Sequence, residues 1–152
     1  MTAVACPLIG HAQTTSGLET CTDASRQCMI ASAMSYLDGL IKADGSKVRL
    51  ARNVRRTETG TKTAIEGDEA LRAAIGRERL KGRRNLRFFV EEPKHEVIAF
   101  WLAGTSNPQS PSAHIAERIK VDAGLITEIE VFWASDDRAF EASQSGWPDE
   151  PE

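Results

Sequence analysis

The chain has 152 residues, 41% of them hydrophobic and 27% charged, with a formal net charge of -3 and an isoelectric point near 5.7. That is the size of one domain, with enough apolar side chains for a substantial core. There is no basic excess to hold nucleic acid or an anionic membrane surface, and no run of about 18 apolar residues to span a bilayer.

Residues 1–20 read as a flexible leader or a residual signal segment. Val4 to Gln13 has the small, weakly apolar character of the end of a secretory signal, with cleavage after Ala12. A charged start and a full apolar centre are both missing. The expectation is a soluble protein, exported if that segment is a signal. Cys6 stands apart, while Cys21 and Cys28 flank Thr-Asp-Ala-Ser-Arg-Gln. Within one helix that pair would sit about two turns apart, too far for a bond. With Cys21 in the lead-in a bridge becomes feasible, and two unbonded thiols are the plainer alternative. With no CxxC and scattered histidines, no metal site is expected.

Asp23 is placed to cap a helix from Ala24 to Ala43, in which Met29, Ile30, Ala33, Met34, Leu37, Leu40 and Ile41 recur at helical spacing. Asp44-Gly45-Ser46 stops it, Lys47 to Ala51 adds one more turn, and Val54 to Thr63 is a strand or hairpin turning at Gly60. Glu66 to Gly82 reads as a second helix, acidic at its start and basic at its end, matching the helix dipole. The period then changes to two. Strands are expected at Leu86–Val90, Glu96–Ala103, Ala113–Val121 and Leu125–Trp133, with a turn at Glu91–Lys94, a polar loop at Gly104–Pro111 and a hairpin turn at Asp122-Ala123-Gly124. The domain is set at 21–135, followed by an acidic, proline-containing tail over 136–152. The architecture is α+β: helices laid on a curved antiparallel sheet, closing a cone with one apolar pocket.

Three segments resemble the nuclear transport factor 2-like superfamily: Tyr36 to Asp44, Asn53 to Gly60, and the closing hairpin Ile119 to Ile129. The likeness spans roughly Cys28 to Ala134, and the superfamily includes SnoaL-like cyclases, ketosteroid isomerases and limonene epoxide hydrolases. Laid on the ketosteroid isomerase branch, Tyr36 matches the oxyanion-stabilising tyrosine and Glu58 the general base. Trp133 matches a ligand-stacking position and Phe100 a pocket aromatic. The branch's protonated acid matches Ala116, which can donate nothing. His114 and Arg118 share its strand parity and are the nearest substitutes.

The expected catalytic set is therefore Tyr36, Glu58, His114 and Arg118, with Phe100, Leu102, Val131 and Trp133 around the substrate. Trp101, His95 and Glu117 are assigned to the outer sheet face. The superfamily holds enzymes and non-enzymes and implies no definite activity; the favoured expectation from these residues is a cofactor-free lyase, dehydratase or isomerase that acts by acid/base chemistry on a small apolar or aromatic molecule. The alternative is a ligand-binding or dimerisation module without turnover. A homodimer through the outer sheet face is expected in either case.

Overall fold

The computed structural model describes residues 21–59, 64–105 and 111–139. The leader over 1–20, the Gly60 turn, most of the Gly104–Pro111 loop and the tail from residue 140 lie outside the described residues. Helix α1 spans Arg26–Lys42. Its N-cap is Ser25, whose hydroxyl accepts from the Cys28 amide; Asp23 stands one step further back and accepts from the amide and hydroxyl of Ser25. Ala43 takes a left-handed conformation, and Asp44 N–H returns to the Gly39 carbonyl, so the helix stops at the expected place. Met29, Ala33, Tyr36, Leu37 and Leu40 form the buried stripe of α1. Cys21 lies in the lead-in and is bonded to Cys28, with Cα atoms 5.4 Å apart.

Strand β1 (Leu50–Glu58) begins where a further helical turn was expected. A two-residue strand β2 (Ile65–Glu66) leads into α2, which covers only Asp68–Ile75. The second helix is thus half the expected length. Gly76 caps it, and Leu80 already starts the long strand β3 (Leu80–Glu91), which takes the basic residues read as a helix end. A 3-10 turn at Glu92–Lys94 connects β3 to β4 (Glu96–Thr105). Strand β5 (Pro111–Asp122) pairs with β6 (Leu125–Ala139), which runs beyond Trp133. Both Ala123 and Gly124 have positive φ at the tight β5–β6 turn, the conformation that suits a two-residue hairpin.

The six strands lie in the order β2-β1-β6-β5-β4-β3. The meander from β3 to β6 is antiparallel as expected, whereas β1 joins the sheet parallel to β6, so the sheet is mixed. Helix α1 packs across β3 to β6, and α2 packs on β1 and β2. Together they define an inner face, which holds the core, and leave an outer face. Gly39 sits where α1 meets its connector: a Cβ there would lie 2.6 Å from a methyl of the buried Val48, so a side chain would force Val48 to move. The helices over one face of the curved sheet give the expected α+β cone.

Candidate active site

Cross-strand pairing assigns each strand residue to a face. Residues directly opposite one another share a side, and the register aligns Ala99 with Glu117, Glu117 with Val131, and Val131 with Glu58. This row crosses β4, β5, β6 and β1 on the inner face. The next row aligns Trp101 with Ile115 and Ile115 with Trp133. Glu58 and Glu117 stand on strands separated by β6 alone, so their backbones lie about 10 Å apart. Their side chains line one cavity of about 180 Å³, together with Arg56, Glu78, Trp101, Val131, Leu40 and Leu80 among others.

Arg56 is the centre of this cluster. Its Nη1 lies 2.8 Å from Glu58 Oε2, and its Nε donates to the Tyr36 hydroxyl at 3.0 Å. Burial alone would weaken its hold on the proton. The neighbouring Tyr36, Glu58 and Glu117 outweigh burial, and the guanidinium stays charged. Tyr36 is fully buried, and desolvation holds its phenol well above the usual range, with Glu117 adding to the effect and Arg56 opposing it. Glu117 is 1% exposed and accepts from Trp101 Nε1 at 3.3 Å. Burial pushes its carboxyl up to about 7, against the opposing influence of Arg56 and of the Trp101 bond, while Glu58 and Glu78 push the same way as burial. Glu78, on the connector between α2 and β3, is also raised, first by burial and then by Glu58, with Arg56 opposing.

The expected residues divide between the two faces. Glu58 and Val131 line the inner cavity. Tyr36 reaches it only through Arg56, because it lies behind the guanidinium and does not line the cavity. Trp133, like Trp101 and Ile115, borders both this cavity and a groove on the outer face. Phe100, Leu102 and His114 line the outer groove, and Arg118 is also on the outer face, bound to Glu96, Glu128 and Glu130. Trp101 and Glu117, expected outside, point inward. On β5 the physical cause is a one-residue slip: with a side-chain period of two, matching the acid position to Ala116 in place of Glu117 moves every β5 assignment to the opposite face, and β4 is displaced the same way, whereas Val131 and Trp133 on β6 keep theirs. His95 sits apart, at a left-handed cap of the 3-10 turn.

The sequence did carry a signal for Glu117. Along β5 one parity reads Ala113, Ile115, Glu117, Ile119, Val121, and the other reads Ser112, His114, Ala116, Arg118, Lys120. The first is the core face, and its single charged residue is the one to examine. Glu78 had no such signal, because it was placed inside the overlong second helix.

The outer groove is larger, about 810 Å³, with Phe89, Phe100, Phe132 and Trp133 among its walls. Phe89 and Phe100 meet edge to face at 5.8 Å between ring centroids. The ionisable groups whose proton affinities are strongly displaced lie in the smaller inner cavity or, for Tyr36, directly behind its Arg56, which makes that cavity the candidate active site.

A helix-covered sheet with a cavity of this kind defines the class: an α+β protein of the nuclear transport factor 2-like fold. The chain belongs to the family described as a domain of unknown function, DUF8021, whose pattern covers residues 22–133. No curated protein matches it. Several solved structures share the fold. An NTF2-like protein from Burkholderia xenovorans is 15% identical over 78% of this chain and 97% of its own, with a TM-score of 0.59. A candidate ketosteroid isomerase from Kribbella flavida is 17% identical over 71% of this chain and 78% of its own, at 0.60. A LEH-like epoxide hydrolase of M. tuberculosis is 16% identical over 71% and 84%, at 0.57. At these identities the likeness is one of fold.

Proposed function

We propose that the protein is a cofactor-independent enzyme of the isomerase, lyase or dehydratase kind, working by proton transfer in the inner cavity. One observation carries this reading: the buried Glu117 carboxyl, held near 7, shares a small cavity with the Arg56–Glu58 ion pair. Two carboxyl groups in unlike surroundings supply an acid and a base at one pH.

Glu58 removes a proton from a carbon beside a carbonyl, or from a hydroxyl. The negative charge it gives up passes to the substrate and stays within the field of Arg56. Glu117, in its protonated form, hydrogen-bonds the developing oxyanion or protonates the leaving group. Tyr36 acts one step back, fixing Arg56 by accepting from Nε. Leu40, Leu80 and Val131 supply the apolar walls for a small molecule. His114 and Arg118 have no part in these steps, because they lie across the sheet.

The test is a screen of small enones, hydroxy ketones and epoxides, followed by Glu58→Gln and Glu117→Gln on whichever is turned over. Each variant is expected to lower kcat/KM by about 10²- to 10⁴-fold. Full turnover in both variants would remove these residues from the mechanism. A second reading, a ligand-binding module without turnover, is favoured by one feature: Arg56 is already engaged on two sides, by Tyr36 and Glu58, as in a purely structural network. Saturable binding with no wild-type turnover across the same screen would select it.

Two further parts of the proposal rest on other regions. The exposed Phe89, Phe100 and Phe132 support pairing of two copies through the outer sheet face. The Cys21–Cys28 bond supports residence in an oxidising, extracytoplasmic compartment. No helix among the described residues is long and apolar enough to cross a membrane.

A further inference from the structure

The inner cavity limits what can enter it by size and by charge. An apolar cavity of about 150 Å³ takes up one benzene molecule. At about 180 Å³ the space here exceeds that by a few atoms. Four fused rings do not fit, even though the fold is shared with a candidate ketosteroid isomerase.

The charge limit comes from the lining. Among the described residues it holds a single cation, Arg56, and three carboxyl groups, Glu58, Glu78 and Glu117. Arg56 already faces Glu58 with Nη1 and Tyr36 with Nε. An incoming carboxylate or phosphate would compete with Glu58 for that guanidinium and would also face Glu78. Desolvating an anion beside buried carboxyl groups is costly. The lining is also two-sided. Leu40, Leu80 and Val131 offer apolar contact, while the polar groups surround Arg56. A ligand satisfying both has an apolar body and one hydrogen-bonding end.

We propose that the substrate is a one-ring molecule of about six to ten non-hydrogen atoms, bearing no negative charge and carrying a single carbonyl or hydroxyl, with that polar end towards Arg56 and Glu117. This rests on the proton-transfer reading for its catalytic meaning, but the size and charge limits come from the cavity itself.

The experiment is binding to the full-length chain, followed by the methyl signals of Val131 in an NMR titration. Those signals are identified as the ones lost in Val131→Ala. They report on the inner cavity because Val131 lines it and not the outer groove, which Trp101 borders as well. The probes are cyclohex-2-enone, cyclohexanecarboxylate and a four-ring 3-ketosteroid. The enone should shift the signals saturably, the carboxylate should bind at least about tenfold more weakly, and the steroid should leave the signals unmoved. Tighter binding of the carboxylate, a steroid-induced shift, or no response to the enone each overturns the proposal. Turnover assays of the wild type on the same three probes separate the two readings. Enone binding without turnover of any neutral ring sinks the enzyme reading and leaves the size and charge limits standing. Turnover of a steroid or an anion does the reverse.

Discussion

Glu117 and Arg118 are adjacent in the chain and opposite in circumstance. Glu117 faces inward, 1% exposed, with an indole N–H as its hydrogen-bond partner and Arg56 as the nearest counter-charge. Arg118 faces outward and is met by Glu96, Glu128 and Glu130 at 2.9 to 3.1 Å, on a surface that water reaches. The same strand thus carries an ionisable group whose chemistry is set by desolvation and one whose charge is neutralised in solvent. Many ion pairs do not mark a site. Arg118 has more carboxylate partners than Arg56, yet the displaced carboxyl proton affinity lies with Glu117.

The largest expected effect follows from Glu117 itself. Folding raises its carboxyl from an ordinary value of 4.5 to about 7. Between those values the folded protein holds a proton that the unfolded chain has released. Stability is therefore highest below the unfolded value, falls as pH rises through the window, and levels off above about 7. The loss is on the order of 3 kcal/mol across the window. Glu117→Gln removes this slope, so the difference between wild-type and variant stability from urea melts should shrink with falling pH and vanish near pH 4. A parallel pair of curves would show that Glu117 is not buried as described.

Next in size is Tyr36→Phe. The ring still fills the core, but Arg56 Nε loses its acceptor in a buried setting. An unpaired buried donor of this kind costs about 1 to 3 kcal/mol. The same melts measure it, and the predicted loss should persist at high salt because it comes from a hydrogen bond and not from screened charge. An unchanged midpoint would mean that Arg56 finds another partner, and Tyr36 would lose its positioning role.

How far the sequence revealed these contrasts depended on the strength of the local pattern. The stripe Met29, Ala33, Leu37 and Leu40 is long and periodic, and α1 ends within a residue of its expected stop. The four-strand meander was equally legible. The second helix was not, because the basic stretch from Arg79 to Arg83 looks like a dipole-matched helix end, while Gly76 had already ended α2. The parallel docking of β1 on β6 joins the first strand to the last and leaves no local trace. On β4, Phe100 and Leu102 face out while Trp101 and Ala103 face in, so both parities are apolar and neither announces its face. There the cross-strand register was needed.

A smaller effect on folding is expected from Phe132→Arg. Phe132 is 52% exposed, so the change should alter the stability of the single chain by less than about 1 kcal/mol. Its consequence lies in association: light scattering should report a shift from dimer to monomer if a second copy covers this face. A variant that scatters like the wild type would argue against pairing there.

Arg118→Ala should have the smallest effect and is the most direct test of the contrast with Glu117. Its guanidinium is about one-third exposed, and exposed pairs are each worth only about 0 to 1 kcal/mol. Removing it also leaves Glu96, Glu128 and Glu130 near one another without their shared cation. The expected loss is about 1 kcal/mol at low ionic strength and less at high salt, because screening weakens both the lost attraction and the new repulsion. Turnover should be unchanged, since the side chain projects from the face opposite the cavity. Equal losses of activity in Arg118→Ala and Glu117→Gln would mean that the two faces communicate or have been assigned the wrong way round. A salt-dependent loss of stability with full activity would instead place adjacent residues of one strand in separate roles: a surface ion network outside and proton-transfer chemistry within.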